Sequence, residues 1–190
     1  MSTFLFLEIM DRDINYLLNG IHSAIFKESL KAAPHLTIRG PYRNKVPEDT
    51  FEQCRAELTG AVLEISDVGY FSNGSEEVVY FSVKNPGLRR VWWKPDFPIS
   101  EYGFHPHLSV YRGTDRGLAT KVRKFLERED LKLFCIEFRL VTYVSRQLPL
   151  FSEVLKVPRS LIASGRVEAS FLNRLSLVVD RHNRKKIRLA

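Results

Sequence analysis

The sequence predicts an α+β protein of two pseudo-symmetric lobes, each a small antiparallel sheet flanked by helices, with a central cleft between them. Three observations carry that expectation. Runs of alternating apolar residues and runs with helical spacing follow one another along the chain. The order motif strand, helix, long strand occurs twice. Both motif strands open with near-identical segments, Pro34-His35-Leu36-Thr37-Ile38 and Pro106-His107-Leu108-Ser109-Val110, which put the two halves in register.

Composition sets the class. A chain of 190 residues, 44% apolar and 27% charged, suits one globular domain or two small lobes sharing an interface. The apolar run Phe4 to Ile9 contains Glu8, is too short to span a bilayer, and lacks a basic leader or small-residue cleavage site. The expectation is a cytoplasmic protein with no membrane partner and no evident obligate protein partner. Cys54 and Cys135 stand outside any C-x-x-C spacing and read as free, reduced and structural. The formal charge of +7 is concentrated: Arg181, Arg184, Lys185, Lys186 and Arg188 account for +5 of it, and the remainder of the chain nets only +2. A solvated tail or strand end is the plainer reading of that run, phosphate attraction at low salt the sharper one.

Along the chain, Phe4 to Met10 reads as a first strand, and Asp11 or Asp13 caps a helix with Ile14, Leu17, Leu18, Ile21 and Ile25 on one face. His22 lies beside that stripe and reads as a helix-surface residue. Pro34 opens the first motif strand, which should end near the Gly40-Pro41 turn. A second helix starts at Pro47, with Glu48 and Asp49 in its first turn and Phe51, Cys54 and Leu58 on its inner side. Val62 to Phe71 and Glu77 to Val83 form a hairpin turned at Asn73-Gly74, which would complete the first lobe. Residues 88 to 104 connect the halves and carry Trp92, Trp93, Phe97, Tyr102 and Phe104; these aromatics either pack between lobes or stack a nucleobase. After the second motif, Thr114 or Asp115 caps a helix with Leu118, Val122, Phe125 and Leu126 inward. Leu133 to Arg146 reads as one long strand. In the remainder, Pro149 and Pro158 mark loops, and Leu175 to Val179 with Lys185 to Leu189 reads as a hairpin that adds to or covers a sheet edge.

The chemistry lies in the repeat. Side chains two apart on a strand share a face, so His35 and Thr37 oppose Leu36 and Ile38, and His107 and Ser109 oppose Leu108 and Val110. A lone H-x-T is weak, because an isolated strand histidine is usually a satisfied, partly buried side chain. The chain has five histidines, however, and two of them occupy matching segments 72 residues apart, each followed shortly by a glycine, Gly40 or Gly113. Two imidazoles with two hydroxyls suit a phosphodiester: one ring takes a proton, the other gives one, and the hydroxyls hold the non-bridging oxygens. Arg39 and Tyr111 continue the same alternation, either onto phosphate or base or at the rim.

These paired H-x-[T/S]-x motifs, with the run-in Phe104-His105-Pro106-His107 and the stretches Val68-Gly69-Tyr70-Phe71 and Val78-Val79-Tyr80-Phe81-Ser82-Val83, resemble the two-histidine (2H) phosphoesterase superfamily. That superfamily includes 2′-5′ RNA ligase-like proteins and cyclic phosphodiesterases, and the resemblance covers roughly residues 4 to 147. Serine stands in the second motif where many members carry threonine, which keeps the hydroxyl. The resemblance implies a domain over 1–147 and an extension over 148–190. It implies catalytic His35, Thr37, His107 and Ser109, no cofactor, and metal-independent cleavage of 2′,3′-cyclic phosphates or 2′-5′-linked or cyclic oligonucleotides, while Arg39, Tyr111 and Phe104 are the candidate substrate contacts by their place on the motif faces and in the aromatic run-in. The alternative is a non-catalytic nucleotide- or RNA-binding module of the same fold. His105-x-His107 would suit a metal pair on one strand face, but no carboxylate or cysteine cluster accompanies it. Buttressing His107 or lining the cleft is the expectation for His105. There is no Walker A pattern, dinucleotide fingerprint or G-x-S-x-G elbow.

Overall fold

The computed structural model describes residues 2–92, 104–144, 151–156 and 169–187. Strand β1 (Thr3–Ile9) buries alternate residues, with Leu5, Leu7 and Ile9 inward. Asp11 then caps α1 (Arg12–Phe26) by accepting from the amides of Asp13 and Ile14 at 3.1 and 3.3 Å. The predicted stripe of α1 is buried. Next come β2 (His35–Tyr42) and α2 (Glu48–Leu58), whose Cys54 and Leu58 are buried with Phe51 packed at the margin of the core. The hairpin β3 (Leu63–Asn73) and β4 (Glu76–Lys84) turns through Gly74, at φ 62°. It is followed by α3 (Pro86–Val91), β5 (His107–Gly113) and α4 (Arg116–Glu129), the last capped by Asp115. Then come β6 (Leu133–Cys135), β7 (Glu137–Val144), β8 (Phe151–Lys156) and α5 (Ala169–Ile187).

The strands form two antiparallel sheets, ordered β2-β1-β7-β8 and β5-β4-β3-β6. Each motif strand lies at the edge of its sheet, and β2 and β5 approach one another where the sheets meet. The two-lobed α+β architecture is therefore as the sequence predicts. One cluster of buried side chains runs through both lobes, from Leu5 and Leu36 to Phe81, Leu108 and Leu175.

Four expectations about the elements are corrected. The lobes are not sequence halves, because the hairpin β3–β4 joins the sheet of the second motif while β7 returns to pair with β1. The long strand from Leu133 is two strands in different sheets. Leu133 and Cys135 are buried, then Phe138 and Leu140, so the inward parity slips by one at Ile136 as the chain crosses over. Cys135 behaves there as a small apolar residue. Strand β2 ends near Gly40-Pro41 as expected, at Tyr42, but Gly40-Pro41 lies inside the strand and is not its turn, since Tyr42 pairs with Thr3. Gly40, at φ 109°, lies against the Thr3 carbonyl where a Cβ would stand 2.8 Å away, and an edge strand tolerates a proline that lacks an amide hydrogen. Finally, residues 175 to 187 are not a hairpin. Phe171, Leu175 and Val179 recur every four residues and are buried, which makes them the inner stripe of α5 packed on α1 and α4. The expectation that the C-terminal part adds to a sheet edge holds for β8, which pairs with β7. Among the described residues, no helix is long and apolar enough to cross a membrane.

Candidate functional site

The two motifs match in register as well as in sequence. On β2, His35 lies opposite Glu8, Leu36 opposite Leu7 and Thr37 opposite Phe6; the register then slips and Arg39 meets Leu5. On β5, His107 lies opposite Ser82, Leu108 opposite Phe81 and Ser109 opposite Tyr80; the register slips again and Tyr111 meets Val79. Each motif strand thus carries one extra residue at the same place, Ile38 and Val110. Up to that point the predicted parity holds: Thr37 and Ser109 are exposed, His35 exposed and His107 half-buried, and the four intervening aliphatic residues are buried.

Past the slip the parity fails, and Arg39 and Tyr111, expected on the face of the histidines, turn inward. An extra residue in one strand turns the next side chain to the other face, so Arg39 is 4% and Tyr111 3% exposed. The Arg39 guanidinium donates to the Tyr42 hydroxyl at 3.0 Å and to the Val91 carbonyl at 2.7 Å, which ties β2 to α3. The Tyr111 hydroxyl donates to the Asp115 carbonyl at 3.1 Å, its ring stacks on Phe26 at 5.6 Å, and burial raises its phenol pKa. Both are braces within the core.

The same local device sets both histidine rings. Nδ1 of His35 lies 3.0 Å from the Ala33 carbonyl, and Nδ1 of His107 lies 2.6 Å from the His105 carbonyl. A carbonyl oxygen only accepts, so Nδ1 carries the hydrogen in each ring and Nε2 is left as the nitrogen for a substrate. The carbonyls of Pro34 and Pro106 accept from the Ile9 and Val83 amides at 2.8 and 2.9 Å, pinning the start of each motif to the neighbouring strand. The residue before a proline is confined to extended conformations, which holds the carbonyls of Ala33 and His105 in place. His105 therefore buttresses His107 through its backbone, and it also lines a cavity beside it.

Around these shared features the two faces differ. His35 stacks on Phe6 at 4.4 Å, and Phe6 stacks on Phe4 and Tyr143 at 5.9 and 5.4 Å. Beside this aromatic row, Arg139 Nε donates to Glu8 at 3.0 Å. His107 packs against Tyr80 at 4.8 Å and meets Phe71 edge-on at 5.7 Å. Burial lowers the His107 pKa, opposed in part by its bond to the His105 carbonyl, so its imidazole favours the neutral form. Tyr80, Ser82 and Lys84, the outward residues of β4, open onto a cavity of about 820 Å³ that Arg89, Phe104 and Phe134 also line. Phe104 stacks on Trp92 at 4.5 Å at the margin of this cavity. Trp93, Phe97 and Tyr102 lie outside the described residues.

Tyr80 and Ser82, which line this cavity, and Gly69, which lies under the Tyr80 ring, stand beyond the site residues that the sequence predicts. Parity held the signal for the first two, since they alternate with the buried Phe81 and Val83. Gly69 lets the Tyr80 ring lie across β3; a Cβ there would stand 2.1 Å from that ring. Among the described residues, no three His, Cys, Asp or Glu side chains are grouped so that they could hold a metal ion. Neither a comparison of the chain with protein-family models nor one with curated proteins finds a match, so the paired motifs and their surroundings carry the functional reading.

Proposed function

We propose that the protein is a metal-independent phosphodiesterase of the two-histidine type, acting in the cytoplasm on 2′,3′-cyclic phosphates or on 2′-5′-linked or cyclic oligonucleotides. The observation that carries this reading is the duplicated histidine setting: two edge strands that approach one another, each with Nδ1 bonded to the carbonyl two residues before it and a hydroxyl two residues after it. General acid–base catalysis needs one base and one acid in hydrogen-bond reach of the reacting oxygens. His107, whose pKa burial lowers, is the base: its Nε2 removes the proton of the attacking water as that oxygen bonds to phosphorus. His35 is the acid: its Nε2–H gives a proton to the leaving oxygen as the phosphorus–oxygen bond breaks. Thr37 and Ser109 donate to the non-bridging oxygens, where charge grows in the transition state.

The nucleoside of the substrate belongs on the His107 side, where the cavity offers the Phe104 and Phe134 rings with Lys84 and Arg89 nearby. Base stacking on an aromatic contributes about 1 to 3 kcal/mol. On the His35 side the corresponding face is taken by the Phe4-Phe6-Tyr143 row. A reducing cytoplasm suits the two buried thiols; burial pushes Cys135 up to about 12.

The test follows hydrolysis of a 2′,3′-cyclic nucleotide and a short 2′-5′-linked adenylate, with and without EDTA, by the parent, His35→Ala and His107→Ala. The expected result is EDTA-resistant turnover that each substitution lowers by about 10²- to 10⁴-fold while the melting temperature stays close to the parent's. EDTA-sensitive turnover, or a folded histidine variant as fast as the parent, overturns the mechanism. Oligonucleotide binding without turnover identifies the binding module instead.

A further inference from the structure

The basic run that reads in sequence as a tail or strand end is gathered into a site by α5. Arg181, Arg184 and Lys185 fall on one helical face, and with Lys121 of α4 and Val178 they line a cavity of about 440 Å³. Lys121 is fixed in place. Its ammonium lies 2.8 Å from Nδ1 of His182, and an ammonium only donates, so that nitrogen is the acceptor of the pair. Nε2 in turn donates to the Asp115 carboxylate at 3.0 Å, while the same carboxylate caps α4 through the Leu118 amide at 2.9 Å. Gly117 leaves room for the ring, since a Cβ there would stand 3.0 Å from His182 Cε1.

Among the described residues, no acid lines this cavity. Of the carboxylates on the two helices, Asp180 pairs with Lys27 at 3.0 Å, Glu127 with Arg123 at 2.7 Å, and Glu129 with Arg174. Four like charges around one concavity repel one another, and a polyanion relieves that repulsion while releasing its own counterions. We propose that this cavity binds successive phosphates of a single-stranded nucleic acid. An anionic membrane is the less suitable polyanion, because surface-binding helices turn an apolar face to the lipid. Here the α5 face formed by Phe171, Leu175 and Val179 is committed to the core, and Leu177, 51% exposed, is the large apolar residue of α5 left outside among the described residues.

The experiment measures binding of a fluorescently labelled short RNA by anisotropy between about 50 and about 200 mM salt, so it does not depend on turnover. The triple variant Arg181→Ala/Arg184→Ala/Lys185→Ala should bind more weakly at low salt and flatten the slope of log K against log salt by about 0.7 per lost contact, roughly two in all. Its hydrolysis of a 2′,3′-cyclic nucleotide should match the parent's. Lys121→Met gives a second, milder variant with the same direction of change, and inorganic tripolyphosphate should compete with RNA for the parent. Unchanged RNA affinity and slope in either variant overturns the proposal. So does a variant that loses binding to phosphatidylserine vesicles while keeping RNA, which would assign the site to a membrane surface.

Discussion

Burial among Tyr80 and Phe71 is the largest influence on His107 and favours the neutral ring, the His105 carbonyl favours the charged one, and the nearby Arg112 charge adds to the effect of burial. The fold therefore lowers this pKa below the ordinary histidine value of about 6.5. Between the two values the unfolded chain binds the proton and the native protein does not, so stability rises with pH through that window. The contribution is fully present above the unfolded pKa and is lost as pH falls through the window toward the folded one. His22, whose pKa burial also lowers, adds in the same direction. The urea midpoint should thus fall less steeply on acidification in His107→Gln than in the parent, because that variant removes one of the two groups. In kinetics, the acid limb of kcat/KM should have its midpoint below about 6.5. A midpoint above that value would show that His107 is not the base. At this scale the sequence was legible through Thr37 and Ser109 and illegible at the next odd position. Nothing in His-Leu-Thr-Ile-Arg announces a register slip, which is a property of the pairing with β1 and not of β2 alone.

Among the elements, β3 and β4 determine how His107 is held. Tyr80 can reach across β3 because Gly69 has no side chain, and the Tyr80 ring is what packs on His107. Gly69→Ala should displace that ring, whose contacting atoms are at the far end of the side chain, so folding should suffer little. The imidazole loses its packing partner, and small misplacements of a catalytic group can lower rates by up to about 10²-fold. A fall in kcat with melting temperature nearly unchanged is the expected result. Equal kcat in parent and Gly69→Ala would mean that Tyr80 does not position His107. The helices were the more legible elements: the stripes of α1 and α4 and the caps at Asp11 and Asp115 follow from spacing and from carboxylates at the right positions. The errors arose where one spacing admits two structures. Leu175 to Val179 is short enough to read as a strand, and only the longer series from Phe171 to Val179, buried every fourth residue, identifies the helix.

Over the whole molecule, connectivity was the least legible feature, because alternation along a strand does not reveal which sheet it joins. The resemblance ends near residue 147, which suggests an appended C-terminal part, yet β8 extends the first sheet and α5 packs on α1 from the first motif's half and α4 from the second's. Leu175 is fully buried in the cluster that also contains Leu36 and Leu108, the residues behind the two histidine motifs. Truncating a leucine in such a site costs about 2 to 5 kcal/mol, the transfer term plus the cavity left behind. Leu175→Ala should therefore lower the urea midpoint of the entire protein. Tryptophan fluorescence, reporting on the connection between the motifs, and circular dichroism, reporting on the helices, should shift together in a single transition. If α5 were only an appendage, Leu175→Ala would leave the fluorescence midpoint where it was and move at most a minor part of the helical signal. That outcome would separate the histidine-bearing lobes from the helix that the packing joins to them.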